Sequence, residues 1–151
     1  MKALFDMVRD PVATVAAQTR WRGLLVVAVY GTLLPVPDTP ENLTVFAKQL
    51  CNHGSGGYPQ VRLAVLVACG TRAVIGAAFG PSTTGELEYA GRLADDLRAG
   101  MLLGDRNFAA AGLLNRFAAT GAHLLVRRKS ARRLPPVATV VTARSWPGSA
   151  R

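Results

Sequence analysis

Acidic side chains are few in this chain and stop altogether at Asp105: 9 Asp and Glu stand against 18 Lys and Arg. The resulting net charge of +9 disfavours a cationic partner and favours a polyanion. Cysteine is scarce too. Cys51 and Cys69 lack metal-ligand spacing, which excludes a disulfide framework and a zinc site of the usual kind. No apolar run approaches the roughly 18 residues a membrane span needs, and the opening MKALFDMVRD is too acidic and too short of apolar residues for a signal peptide. A soluble cytoplasmic protein with no membrane partner is the expectation. His53 and His123 have no partners at metal or nucleophile spacing. The glycines of Gly54–Gly57 precede a strand rather than a helix and no Gly-Lys-Ser/Thr follows, which excludes a phosphate loop.

What is present is apolar and patterned. Half of the 151 residues are hydrophobic, enough for one domain with a packed core. Gly23 to Tyr30 is a short run rich in β-branched residues, as in a strand buried on both faces. The prolines of LPVPDTPEN forbid regular structure until Pro40 and Glu41 open a short helix, and His53–Gly57 reads as a loop. Val61–Cys69 and Ala73–Phe79, joined by Gly70-Thr71-Arg72, predict an antiparallel hairpin.

Thr83 to Glu86 has capping-box spacing for a helix whose inner face is Leu87, Ala90, Leu93, Ala94 and Leu97. Glu86, Arg92, Asp95 and Asp96 then face solvent, and Gly100 ends the segment. Met101–Gly104 is a short strand, Asn107–Thr120 a second helix, and Ala122–Arg128 a fifth strand. Trp21 reads as a packing residue, and Trp146 as packing or as an exposed tail residue. Three segments follow: 1–20, a core over 21–133, and an irregular basic tail over 134–151. Three strands, helix, strand, helix, strand is the order of a ribonuclease-H-like α/β fold with a mixed sheet, and equally of other α/β layers.

Several ordered blocks narrow the choice. YGTLLPVPDTPENLTVF, GYPQVRLAVLVACGTRAVIGAAFGP, GMLLGDRNF and GAHLLVRRKSARRLP, spread over about residues 20 to 135, resemble the DDE transposases of the insertion sequence 4 group. The resemblance implies metal-dependent DNA cleavage and strand transfer in transposition, with DNA as partner and Mg²⁺ as cofactor. It places the family's second metal-binding acid at Asp105 and its first at Tyr30, where an aspartate is usual. The third, a glutamate on a late helix, has no counterpart before the chain ends, so the fold is expected to be incomplete at its C-terminus and the last sheet face uncovered.

A phenol is neutral near pH 7 and a poor substitute for a carboxylate, and Mg²⁺ wants more than one anionic oxygen. The expectation is a remnant site that holds no metal productively and does not cut DNA. Asp38 is a weaker second carboxylate, better read as a turn cap. Glu86, Glu88, Asp95 and Asp96 are a solvated face, and Asp105 itself has the composition of a helix cap. The run Arg127, Arg128, Lys129, Arg132 and Arg133 is the expected DNA contact, through phosphates rather than bases; its bland alternative is a solvated basic end, or coding bias in a GC-rich gene. The Ala-, Arg- and Pro-rich tail resembles out-of-frame translation. The rival readings are a non-catalytic DNA-binding regulator and an unrelated small-molecule binder, the latter without any cofactor fingerprint.

Overall fold

A computed structural model describes Met7 and residues 20–51, 54–97 and 100–127. Its axis is β2 (Leu24–Pro35), a strand of 12 residues. On one side β2 pairs antiparallel with β4 (Gly54–Ala68), Val27 opposite Ala68 and Pro35 opposite Gln60. On the other it pairs parallel with β6 (Met101–Gly104), which pairs parallel with β7 (His123–Val126). The far edge of β4 carries β5 (Ala73–Pro81) as an antiparallel hairpin. Across the Gln60–Ala68 half of β4 the order is therefore β5-β4-β2-β6-β7. β1 (Arg20–Trp21) forms a hairpin with the start of β2, and β3 (Lys48–Cys51) one with the start of β4. An antiparallel trio joined through its first strand in sequence, β2, to two helix-linked parallel strands is the ribonuclease-H-like mixed sheet expected from the element order.

The sheet's two faces differ. Val27, Val29, Ala64, Leu66, Ala68 and Leu102 point to one of them and are buried there. Against them pack α2 (Glu86–Arg92), with Tyr89 and Ala90, and α3 (Ala111–Ala118), with Leu113 and Phe117. Because strand side chains alternate, Ala28, Tyr30, Val65, Leu103 and Leu125 point the other way. On that second face Tyr30, Phe79 and Leu125 are exposed by 60%, 68% and 62%, an unusual concentration of bare apolar surface.

Two glycines let α2 approach. A β-carbon on Gly80 would sit 2.3 Å from the Tyr89 hydroxyl, and one on Gly31 would sit 2.0 Å from the Glu86 carboxylate. Tyr89 is fully buried, and its hydroxyl donates to the Pro81 carbonyl at 3.2 Å. The phenol ring thereby ties α2 to the end of β5.

The local chemistry departs from expectation at several points. β2 runs on through Tyr30 to Pro35, since a proline can end a strand by giving up one donor. Gly54–Gly57, expected as loop, is strand: it pairs with β3, and Gly57 takes a φ of 79°. The short helix α1 (Pro40–Val45) forms where predicted, but Thr39 caps it by accepting from the Asn42 amide at 3.3 Å. Asp38 instead pairs with Lys48. The Glu41 carboxyl on the first turn of α1 is held below its usual range, mainly by a backbone hydrogen bond and then by the Thr39 hydroxyl.

The predicted capping box does not form. Gly85 occupies the N-cap of α2 with no side-chain bond. The helix then tightens after Arg92 into a 3-10 turn at Ala94–Asp96, which turns Leu93 and Leu97 inward and leaves Leu87 partly exposed. Asp96 is not on the solvated face: it lies against Gly76. The helix predicted over 107–120 splits into a 3-10 turn, Arg106–Phe108, and α3. Trp21 is not a packing residue but 51% exposed. Trp146 and the 134–151 tail lie outside the described residues, as does nearly all of 1–20.

The two glycines predict different costs. Gly80→Ala must displace a buried ring and is expected to lower unfolding free energy in urea by about 1–3 kcal/mol. Gly31→Ala meets only the movable end of Glu86 and should cost less than about 1 kcal/mol. Equal losses at both positions would contradict this packing.

Candidate active site

Parallel pairing fixes which residues meet at the top of the sheet. Val26 faces Met101, Val27 faces Leu102 and Ala28 faces Leu103. Continued two residues past its last pair, beyond the end of β6 at Gly104, the same register would set Tyr30 opposite Asp105. Neighbouring strands lie about 4.8 Å apart, and strand alternation turns Tyr30 to the face away from α2 and α3. Tyr30 lies on the strand that pairs with β6, and Asp105 directly follows the end of β6.

Asp105 stands where β6 gives way to the 3-10 turn Arg106–Phe108. Its backbone is extended (φ −74°, ψ 168°), and its carbonyl accepts from the Phe108 amide at 2.9 Å. Phe108 is buried and anchors the turn. The Asp105 side chain makes no capping bond and so stays available. It faces Arg127, whose amide donates to the Gly104 carbonyl at 2.9 Å and so continues the β6–β7 ladder one step. Arg127 Nη1 lies 3.9 Å from Asp105 Oδ1, with both side chains well exposed. Such a pair is worth about 0–1 kcal/mol and weakens with salt.

Glu86 lies over Gly31, the residue of β2 after Tyr30, on the helix-covered side. Asp38 is engaged by Lys48, and Glu88 by Arg92 at 2.7 Å. Among the described residues no group of three or more His, Cys, Asp or Glu could hold a metal ion. One carboxylate with a guanidinium beside it does not fit Mg²⁺, a hard ion that binds through several oxygens and is repelled by a neighbouring cation.

Sequence reasoning placed Arg127 in a basic run but missed its pairing with Asp105. That pairing depends on the β6–β7 register, which no local pattern reveals. Arg128, Lys129, Arg132 and Arg133 lie outside the described residues. The charge asymmetry extends into the fold itself: no Asp or Glu occurs between Asp10 and Asp38 or between Glu41 and Glu86. Strands β1 to β5 therefore carry no carboxylate, while Arg20, Lys48 and Arg62 lie on them. Among the described residues no helix is long and apolar enough to cross a membrane.

No protein-family model matches the chain. It is 33% identical over 104 residues to the transposase InsG for insertion sequence element IS4 of Escherichia coli. That match takes in 68% of this chain and 24% of the relative, so the chain spans about a quarter of the curated protein it resembles. A solved structure of the piggyBac transposase synaptic complex with hairpin DNA superposes with a TM-score of 0.46 at 13% identity, covering 89% of this chain and 28% of that one.

Replacing the phenol should rebuild a metal-binding pair. Tyr30→Asp sets two carboxylates opposite one another, and its thermal midpoint is expected to rise on addition of Mn²⁺ by more than that of the parent chain. The rise should vanish in Tyr30→Asp/Asp105→Asn. A Mn²⁺ response of equal size in the parent chain would contradict the assignment.

Proposed function

The chain is a member of the DDE-type transposases related to that of insertion sequence 4, and from that premise we propose that it engages DNA without cutting it. The activity from which it descends is metal-dependent nicking and strand transfer. That chemistry needs divalent ions held by paired acids, so that the attacking water or hydroxyl is activated and the leaving oxygen is stabilised. The β2–β6 register, continued two residues past Ala28 and Leu103, would put the Tyr30 phenol in the slot opposite Asp105. A phenol in place of the family's first acid is the observation that supports the reading. Arg127 supports it, because its guanidinium already sits beside the carboxylate that a metal would require.

DNA engagement rests on charge. The excess of cations, the carboxylate-free strands and the exposed Arg127 leading into Arg128, Lys129, Arg132 and Arg133 together suit a phosphate backbone. Contacts of this kind position a protein on DNA and read no sequence. A transposase-derived, non-catalytic DNA-binding protein, acting as a regulator of an intact element, is the role consistent with both halves of the proposal.

Two experiments follow. Supercoiled plasmid incubated with the chain and Mg²⁺ or Mn²⁺ should remain uncut in a gel assay; nicking that disappears in Asp105→Asn would overturn the non-catalytic reading. Binding to duplex DNA should fall steeply with salt. Substitution of Arg127, Arg128 and Lys129 by Ala should reduce the slope of log affinity against log salt by up to about 3. An unchanged slope would remove this run from the interface.

A further inference from the structure

The opposite end of the sheet from Tyr30 and Asp105 carries a second basic surface, and it is built differently. The β1–β2 hairpin turns through Arg22 and Gly23, both at positive φ (50° and 80°), and the β4–β5 turn through Arg72, also at positive φ (61°). Arg22 and Arg72 are the two non-glycine residues in that conformation among those described. An L-residue there costs about 1–2 kcal/mol per residue, and the positions favour Gly or Asn. Both turns thus carry an arginine where the backbone favours glycine. The turns lie close together: the Cys69 amide donates to the Val26 carbonyl at 2.9 Å, and Trp21 pairs with Leu24 two residues before Val26. Two residues of strand span only about 7 Å.

Beside Arg22 stands an exposed aromatic. Trp21 is 51% exposed, and the Arg22 guanidinium stacks 4.9 Å from its ring centroid. Arg20 braces the turn by donating to the Gly23 carbonyl at 3.3 Å. Asp96 lies against Gly76, further up β5 on the helix-covered face.

We infer that this hairpin is a contact site for single-stranded DNA, with a base stacking on the indole of Trp21 and the backbone phosphates running past Arg20, Arg22 and Arg72. A flat π-surface flanked by cations suits an unpaired base, whose own ring is free to stack; in a duplex that ring is covered by its neighbours. The inference rests on the reading that the chain engages DNA, but it uses a surface remote from Asp105 and Arg127 and a different chemistry.

The experiment uses the full chain with Trp146→Phe, so that Trp21 is the sole indole. Titration with an oligothymidylate of about 20 nucleotides, several times the length one stacking platform and groove contact, is expected to quench its fluorescence to saturation, whereas a blunt duplex quenches it little. Trp21→Ala should weaken oligothymidylate binding about 5- to 100-fold and Trp21→Phe much less, with duplex binding unchanged in both. Unaltered oligothymidylate affinity in Trp21→Ala, or equal quenching by duplex, overturns the proposal. If duplex still binds through Arg127, Arg128 and Lys129 while Trp21 stays silent, the hairpin site fails and the broader DNA reading stands; if neither nucleic acid binds, both fail.

Discussion

Everything chemical about this chain passes through the parallel pairing of β2 with β6. Parallel strands bring their C-terminal ends to the same edge, and in an open α/β sheet that edge is where ligands collect. Here β2 is held rigidly. It is hydrogen-bonded on both sides, and its inward residues Val27 and Val29 are packed beneath α2. Neither strand can slip by one residue without turning its buried side chains outward. The same register that buries Val27 and Leu102 sets where β6 ends relative to β2, and so how near Asp105, the residue after that end, can come to Tyr30.

The electrostatics follow from the same architecture. All carboxylates on the described residues sit outside β1 to β5, on helices, on their flanks or at Asp105. Each one with a short-range partner is matched to a nearby cation or an inward contact: Asp38 with Lys48, Glu88 with Arg92, Asp105 with Arg127. Arginines on the two hairpin turns and on the Arg127 segment are thereby left to set the field at opposite ends of the sheet. A polyanion meeting this molecule encounters positive charge at both ends and a bare apolar face between them.

Much of this was legible in the amino-acid order, and the rest was not for identifiable reasons. Met101–Gly104 is short and purely apolar before a polar turn, so its limits could be read directly. The parallel pairing of the strands that carry Tyr30 and lead into Asp105 could be anticipated because blocks of sequence, not single residues, carried the resemblance. Tyr89 was missed as a core residue: its burial depends on Gly80 making room across a sheet, a contact between residues nine apart whose cause lies in strand pairing. The Asp38–Lys48 and Asp105–Arg127 pairs were missed for the same reason. Trp21 reads as a packing residue in sequence, but it sits on a two-residue strand at a hairpin and is exposed.

The central claim is the opposition of residues 30 and 105, and chemical cross-linking tests it most directly. With Cys51 and Cys69 replaced by Ser, the double variant Tyr30→Cys/Asp105→Cys should oxidise to an intramolecular disulfide. Strands about 4.8 Å apart fall within the roughly 4.4–6.8 Å Cα separation a disulfide tolerates. The account predicts this bond to form about as readily as one between Ala28→Cys and Leu103→Cys, the pair directly registered below it. Oxidation of the lower pair without the upper would show that the strands diverge before Asp105, and the inherited site would then not exist in this chain.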